Sequence, residues 1–147
     1  MNTLIKDIFN DILDLEEKAL RYCNVKDLSI TEMHVLEVIG DEDGRTMSEA
    51  AMALGITVGS LTSAVNKLVK KNYVLRKRDE SDRRIVMIQL SRKGKTVYRL
   101  HEKFHMNMVQ NMIKGLSSDE ERILVKVLEN MNGFFTNLGK KHKEVRE

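Results

Sequence analysis

The chain has 147 residues, of which 41% are hydrophobic and 32% charged, with no proline, no tryptophan and a single cysteine. This apolar content can build a core, which excludes a disordered chain, and no run reaches the ~18 apolar residues of a membrane span. One cysteine cannot close an intramolecular disulfide, which fits a reducing compartment, and the net charge of +3 is very unevenly spread.

The first predicted helix runs from Asn2 to about Tyr22. Ile5, Ile8, Ile12, Leu15 and Ala19 recur at alternating spacings of three and four, and Phe9 and Leu13 widen the stripe. The segment is acidic and amphipathic rather than basic and then apolar, so it does not read as a secretory leader, and a cytoplasmic protein is expected. Thr31 is expected to cap a second helix ending at Gly40, and Asp41 to Gly44 form an acidic turn expected to face solvent. Thr46 with Glu49 is a capping box opening a short helix that closes at Gly55. Thr57 then caps a helix to about Lys71 with Leu61, Ala64, Val65 and Leu68 on one face. Two helices joined by a short glycine-containing turn form a helix-turn-helix. Val74 to Arg78 and Ile85 to Leu90 read as strands around a polar, arginine-bearing loop, a hairpin placed as a wing. Ser91 caps a long helix to about Lys114, with Val97, Leu100, Phe104, Met108 and Met112 along one face. Ser117 with Glu120 opens the last helix, which carries Leu124, Leu128, Met131, Phe135 and Leu138; the tail from Lys140 to Glu147 is expected to fray. The expected fold is mainly α, about six helices and a two-stranded wing. Residues 31–90 would form a winged helix-turn-helix lobe, with 1–30 and 91–147 supplying dimerisation helices. Each of these outer helices carries an apolar stripe that a second copy, related by a two-fold axis, would cover.

Charge points to the partner. From Asn66 to Lys95 there are eleven Lys/Arg against three Asp/Glu, a net of +8, which leaves −5 on the rest of the chain. Such asymmetry centred on a recognition helix and wing is the footprint of phosphate binding. Ser60, Thr62, Ser63 and Asn66 are short enough to approach base edges. Asn66 can bond bidentately to adenine, and Lys67 to guanine or phosphate. Thr57, at a helix N-terminus, suits a phosphate. Arg84, with Arg83, would enter a narrow, A·T-rich minor groove. Lys70, Lys71, Arg76, Lys77 and Arg78 are expected to add non-specific attraction. Two lobes ~34 Å apart would select a pseudo-palindrome in double-stranded DNA.

Gly55-Ile56-Thr57, Leu68-Val69-Lys70-Lys71, Asp82-Arg83-Arg84 and Leu90-Ser91-Arg92-Lys93-Gly94 resemble the MarR family of winged-helix transcription regulators over nearly the whole chain. The resemblance implies a bacterial protein, a triangular homodimer, and a wing in which Asp82 orients Arg84. Asn72 stands where that family usually has glycine, a mild departure because asparagine tolerates the left-handed conformation.

Two effector readings stay open. Phe9-Asn10, Leu15-Glu16-Glu17, Lys26-Asp27-Leu28-Ser29, Glu32-Met33-His34, Tyr98-Arg99-Leu100-His101 and Lys103-Phe104-His105 resemble the branch that represses fatty-acid synthesis genes in Gram-positive bacteria. That implies a long-chain acyl group on acyl carrier protein as corepressor and no required cofactor. Phe9, Leu13, His34, Phe104, His105 and Met108 are candidates to line its slot. The alternative is zinc. His101 and His105, four apart on one helix, could ligate it with His34 and either Glu16 or Glu17, a placement similar to the family's zinc-sensing branch; Met33 replaces a carboxylate of that branch. His142 is the fourth histidine, and Cys23 reads as an inert thiol. No glycine-rich phosphate loop or nucleophile elbow is present, so an enzyme is not expected.

Overall fold

The computed structural model describes residues 1–22, 25–41, 44–78, 82 and 84–144, the side chains of Tyr22 and of residues 138–144 excepted. Cys23, Arg83 and the side chains of Leu138 and His142 therefore lie outside the described residues. The elements are α1 (Asn2–Tyr22), α2 (Ile30–Ile39), β1 (Arg45–Thr46), α3 (Met47–Leu54), α4 (Val58–Lys70), β2 (Val74–Arg78), β3 (Val86–Leu90), α5 (Arg92–Ile113) and α6 (Ser118–Glu144). The mainly helical class read from the sequence is correct. No single helix among the described residues is long and apolar enough to cross a membrane. The chain divides into two compact units, Met1–His105 and Met106–Glu147.

The first unit holds the core. Met33, Leu36 and Ile39 recur every third residue of α2, and Leu61, Val65 and Leu68 line the inner face of α4; all six are at most 2% exposed. Val74, Ile88 and Leu90 close the core from the sheet, and Leu20, Leu28 and Val97 from α1, the following loop and α5. Each fully buried aliphatic side chain contributes about 1.5–3 kcal/mol, so the lobe is held mainly by this contact between helices and wing base.

The caps explain where the helices start. Thr46 accepts from the Glu49 N–H and Glu49 from the Thr46 N–H, as expected for a capping box. α2, in contrast, is capped by Ser29 and not by Thr31. The Ser29 hydroxyl accepts from the Glu32 N–H and the Glu32 carboxylate from the Ser29 N–H, which places Thr31 inside the first turn. Glu32 three residues on is the partner Ser29 needs, whereas the residue three past Thr31 is His34, which does not supply the Glu or Gln of a capping box. α3 ends on Gly55 at φ 66°, in the left-handed region, which lets the chain turn at once to the Thr57 cap of α4. Asn72 follows α4 at φ 62°, so it adopts the conformation for which glycine is usual.

The two-stranded wing forms as expected, and a third short strand joins it. β1 pairs antiparallel with β3, which pairs with β2, giving the order β1-β3-β2. In the hairpin, Val74 faces Leu90, Arg76 faces Ile88 and Arg78 faces Val86. β1 is two residues long, too short for any alternation to announce it. Asp41, expected in an exposed turn, is partly covered, and its carboxylate meets Lys95 at 3.1 Å and Arg99 at 2.7 Å.

In the second unit Gly115 at φ 89° ends α5, and the Ser117–Glu120 capping box starts α6 as expected. α6 is helical through Glu144, beyond the Lys140 position at which fraying was expected. Ile123, Val125, Val127, Leu128, Phe134 and Phe135 on it are each at least 48% exposed. α5 also turns differently from its expected stripe: Gly94, Val97 and His101 are its buried positions, and Leu100 is 40% exposed.

Candidate nucleic-acid interface and a buried histidine cluster

The chain bends by 107° between α3 and α4, within the range of a helix-turn-helix. With Leu61, Val65 and Leu68 turned inward, α4 presents Ser60, Ser63, Asn66 and Lys67 to solvent and Thr62 at the margin. Several of these hydroxyls already have partners. Thr57 accepts from the Ser60 N–H at 3.1 Å and lies 2.9 Å from the Ser60 hydroxyl. Thr62 donates to the Val58 carbonyl at 2.7 Å and Ser63 to that of Gly59 at 3.4 Å. Asn66 makes no side-chain hydrogen bond among the described residues, which leaves its amide available to a base edge. Asn66→Ala is expected to weaken operator binding about tenfold while relaxing preference at one base pair. A titration over a set of single-base operator variants checks this, and equal losses on every variant would remove Asn66 as a base reader.

Lys71 has a different task from the one its charge suggested. Its ammonium sits 2.8 Å from both carboxylate oxygens of Glu32, tying the end of α4 to the start of α2. Burial pushes the Glu32 carboxyl up, but Lys71 and the Ser29 N–H outweigh it and hold the group below the ordinary glutamate value. A second clamp holds the turn after α4. The Tyr73 hydroxyl donates to Asp27 at 2.6 Å, and the Lys93 ammonium lies 3.8 Å from the Tyr73 ring centroid. Hydrogen bonding from Tyr73 lowers the Asp27 carboxyl, while burial raises the Tyr73 phenol. Lys70, Arg76, Lys77 and Arg78 are exposed around this clamped frame. At the wing, the Asp82 carboxylate accepts the main-chain N–H of Arg84 at 3.0 Å, fixing the turn from which the arginine departs. Arg84, Ile85 and Val86 wall a cleft of about 400 Å³ with Thr46, Met47 and Ser48 at the start of α3.

The effector candidates divide. Glu16 is 7% exposed and His101 3%, while Glu17 is exposed and paired with Arg21 at 2.7 Å. Glu16 is thus the carboxylate that faces the histidines, which removes Glu17 from the alternative set. Glu16 approaches Nε2 of His105 to 3.4 Å and Nε2 of His34 to 3.9 Å. One potential donor atom from each of Glu16, His101 and His105 lies within 4.8 Å of the others, the cluster among the described residues able to embrace a metal ion. His34 stands at the edge of this group with its side chain 45% exposed. Sequence reasoning missed Glu37, which accepts from Nδ1 of His101 at 2.9 Å. That bond, the largest effect on it, holds the Glu37 carboxyl below its ordinary value. The sole signal available was its position three residues after His34, one turn along α2. Of the acyl-slot candidates, Phe9 and Leu13 are 43% and 60% exposed on α1, Phe104 packs edge-on against His105 with centroids 5.5 Å apart, and Met108 belongs to the second unit.

Comparison with known proteins places this geometry. A family model described as MarR family matches residues 26–85. The chain is 30% identical over 112 residues to the uncharacterised HTH-type transcriptional regulator YfiV of Bacillus subtilis, covering 71% of this chain and 69% of that one. The crystal structure of Streptococcus pneumoniae FabT in complex with DNA is 40% identical, covers 93% of this chain and 96% of FabT, and superposes with a TM-score of 0.86. The Staphylococcus aureus MepR–DNA complex, at 21% identity and a TM-score of 0.69 over 90% of this chain and 96% of MepR, shares the fold. A winged helix-turn-helix with a basic reader, matched this extensively, is a DNA-binding regulator and not an enzyme: the chain belongs to the MarR family of transcription regulators.

Proposed function

We propose that this regulator is a homodimeric repressor of fatty-acid synthesis genes, with a long-chain acyl group on acyl carrier protein as its corepressor. The likeness to FabT bound to DNA carries the reading, because it extends beyond the reader to 93% of the chain. The sequence motifs shared with the fatty-acid branch point the same way. Apolar surface supports the dimer. α1 leaves Leu4, Ile5, Ile8 and Phe9 at least 41% exposed, and α6 leaves Phe134 and Phe135 at least 49% exposed. Stripes this wide on two helices need cover that a second copy supplies, and two-fold symmetry then sets both readers on a pseudo-palindromic, A·T-rich operator. Phe9, Leu13 and Phe104 offer apolar surface suited to an acyl chain. The test is operator binding by the purified protein with and without acyl carrier protein carrying a long acyl chain. Tighter binding with the acylated carrier, and none of that gain with the unacylated one, is expected; equal binding in both would exclude the corepressor. Sedimentation at twice the chain mass is expected for the dimer.

A second reading is favoured by one observation, the orphaned ring nitrogen of His101. Its Nε2 is buried and has no hydrogen-bond partner among the described residues, and it belongs to the group formed with Glu16 and His105. An imidazole pair and a carboxylate are a donor set suited to zinc, so Glu16, His101 and His105 would hold the ion, with His34 at the margin. Zinc bound there would tie α1 to α5 and so bias the helices that carry the readers. Operator titrations with zinc and with chelator separate this reading from the first.

A further inference from the structure

The imidazole of His101 is held by a group outside the donor set. Nδ1 of His101 lies 2.9 Å from Glu37 Oε1, and the His101 side chain is 1% exposed. An ionised carboxylate has no proton to give, so the hydrogen of this bond is on Nδ1. In the neutral ring Nε2 then carries a lone pair, and it is the atom that is buried without a partner. A buried acceptor left unmet costs about 1–3 kcal/mol, so something with positive charge or a donor belongs there. Glu16 and His105 supply the other two donors within 4.8 Å, on α1 and α5.

We infer that Glu37 is the outer carboxylate that orients His101 and raises its basicity toward a divalent transition ion held by Glu16, His101 and His105. The inference rests on the zinc reading above and deepens it. Glu37 is a positioning residue, since its Oε1 is occupied by the Nδ1 hydrogen and lies 3.9 Å from Nε2 of His105. Outer carboxylates of this kind typically change metal affinity by about 10- to 100-fold when removed.

The experiment is competition of the purified protein against a chromophoric zinc chelator, paired with cobalt(II) absorption. The wild-type chain is expected to take up one ion per subunit, and His105→Ala to lose it. Glu37→Ala should bind zinc about 10- to 100-fold more weakly with the cobalt band unmoved, because the donor set is intact. Glu37→Gln should fall between, since its amide oxygen still accepts from Nδ1 but without charge. Circular dichroism in chelator reports folding, and the near-isosteric Gln variant carries the test if the Ala variant does not fold. Wild-type affinity in both Glu37 variants would overturn the positioning role while leaving the zinc reading standing. A shifted cobalt spectrum in Glu37→Gln would make Glu37 a ligand instead. No zinc uptake by the wild type would end both.

Discussion

Gly94→Ala is expected to lower the stability of the lobe by about 2–3 kcal/mol. Inside a helix the exchange ordinarily stabilises, because alanine loses less backbone entropy, by roughly 0.5–1 kcal/mol. Here the added Cβ would stand 2.1 Å from the Tyr73 carbonyl oxygen and 3.2 Å from its carbon. A flexible side chain could yield to that; this carbonyl cannot. It accepts the Ser91 N–H at 2.9 Å, the Tyr73 N–H is bonded to the Leu68 carbonyl at 2.9 Å, and the ring is pinned by Asp27 and Lys93. The first turn of α5 must therefore back away from the wing base, straining the Ser91 bond and opening the contact with Leu90. Urea unfolding checks the prediction, with Gly59→Ala as control. There a Cβ would meet nothing nearer than the Thr57 hydroxyl at 3.9 Å, so unchanged or slightly raised stability is expected. A Gly94→Ala midpoint equal to wild type would mean that the turn at Tyr73 gives way, and the clamp would lose its structural importance.

The helices were legible in the sequence because their signals are local. Thr46–Glu49, Ser117–Glu120, Gly55 and the inward stripe of α4 each declare themselves within one or two turns. What escaped is non-local. Nothing near Lys71 says that Glu32, 39 residues earlier, will take its charge, so it read as a free cation. Glu37 lies 64 residues from His101, and only packing of α2 on α5 brings them together. Leu100 suited an apolar stripe better than His101 did, yet the structure buries the histidine, whose Nδ1 meets the Glu37 carboxylate at 2.9 Å. Hydrophobicity alone cannot anticipate a polar residue that is buried because it is paired. The choice between Glu16 and Glu17 likewise needed the rotation of α1, since neighbours on a helix point about 100° apart.

Arg84→Ala is expected to weaken operator binding by about 30- to 100-fold, more than any change on the exposed face of α4. Arg84 departs from a turn built by Asp82, whose carboxylate takes its N–H and whose carbonyl takes the Ile85 N–H at 2.9 Å. These two bonds tie the Arg84 and Ile85 main chain to Asp82, so less entropy is lost when a groove receives the guanidinium. A narrow A·T-rich groove has the most negative potential on the duplex, so the arginine gains there what a phosphate contact would not. In the two-fold dimer proposed above both wings would lose their arginine at once, doubling a cost of about 1–1.4 kcal/mol per half-site. Arg84→Lys separates groove insertion from charge. Lysine keeps the charge but is more strongly hydrated and lacks the planar fork, so most of the loss should persist on the operator. Binding to random-sequence DNA at the same salt should fall for alanine and be restored by lysine. Asp82→Ala should reproduce part of the loss, because it leaves the guanidinium in place and removes only the turn that aims it. If Arg84→Lys instead bound the operator as wild type does, the side chain would be meeting phosphate, and the wing would add affinity without reading groove width.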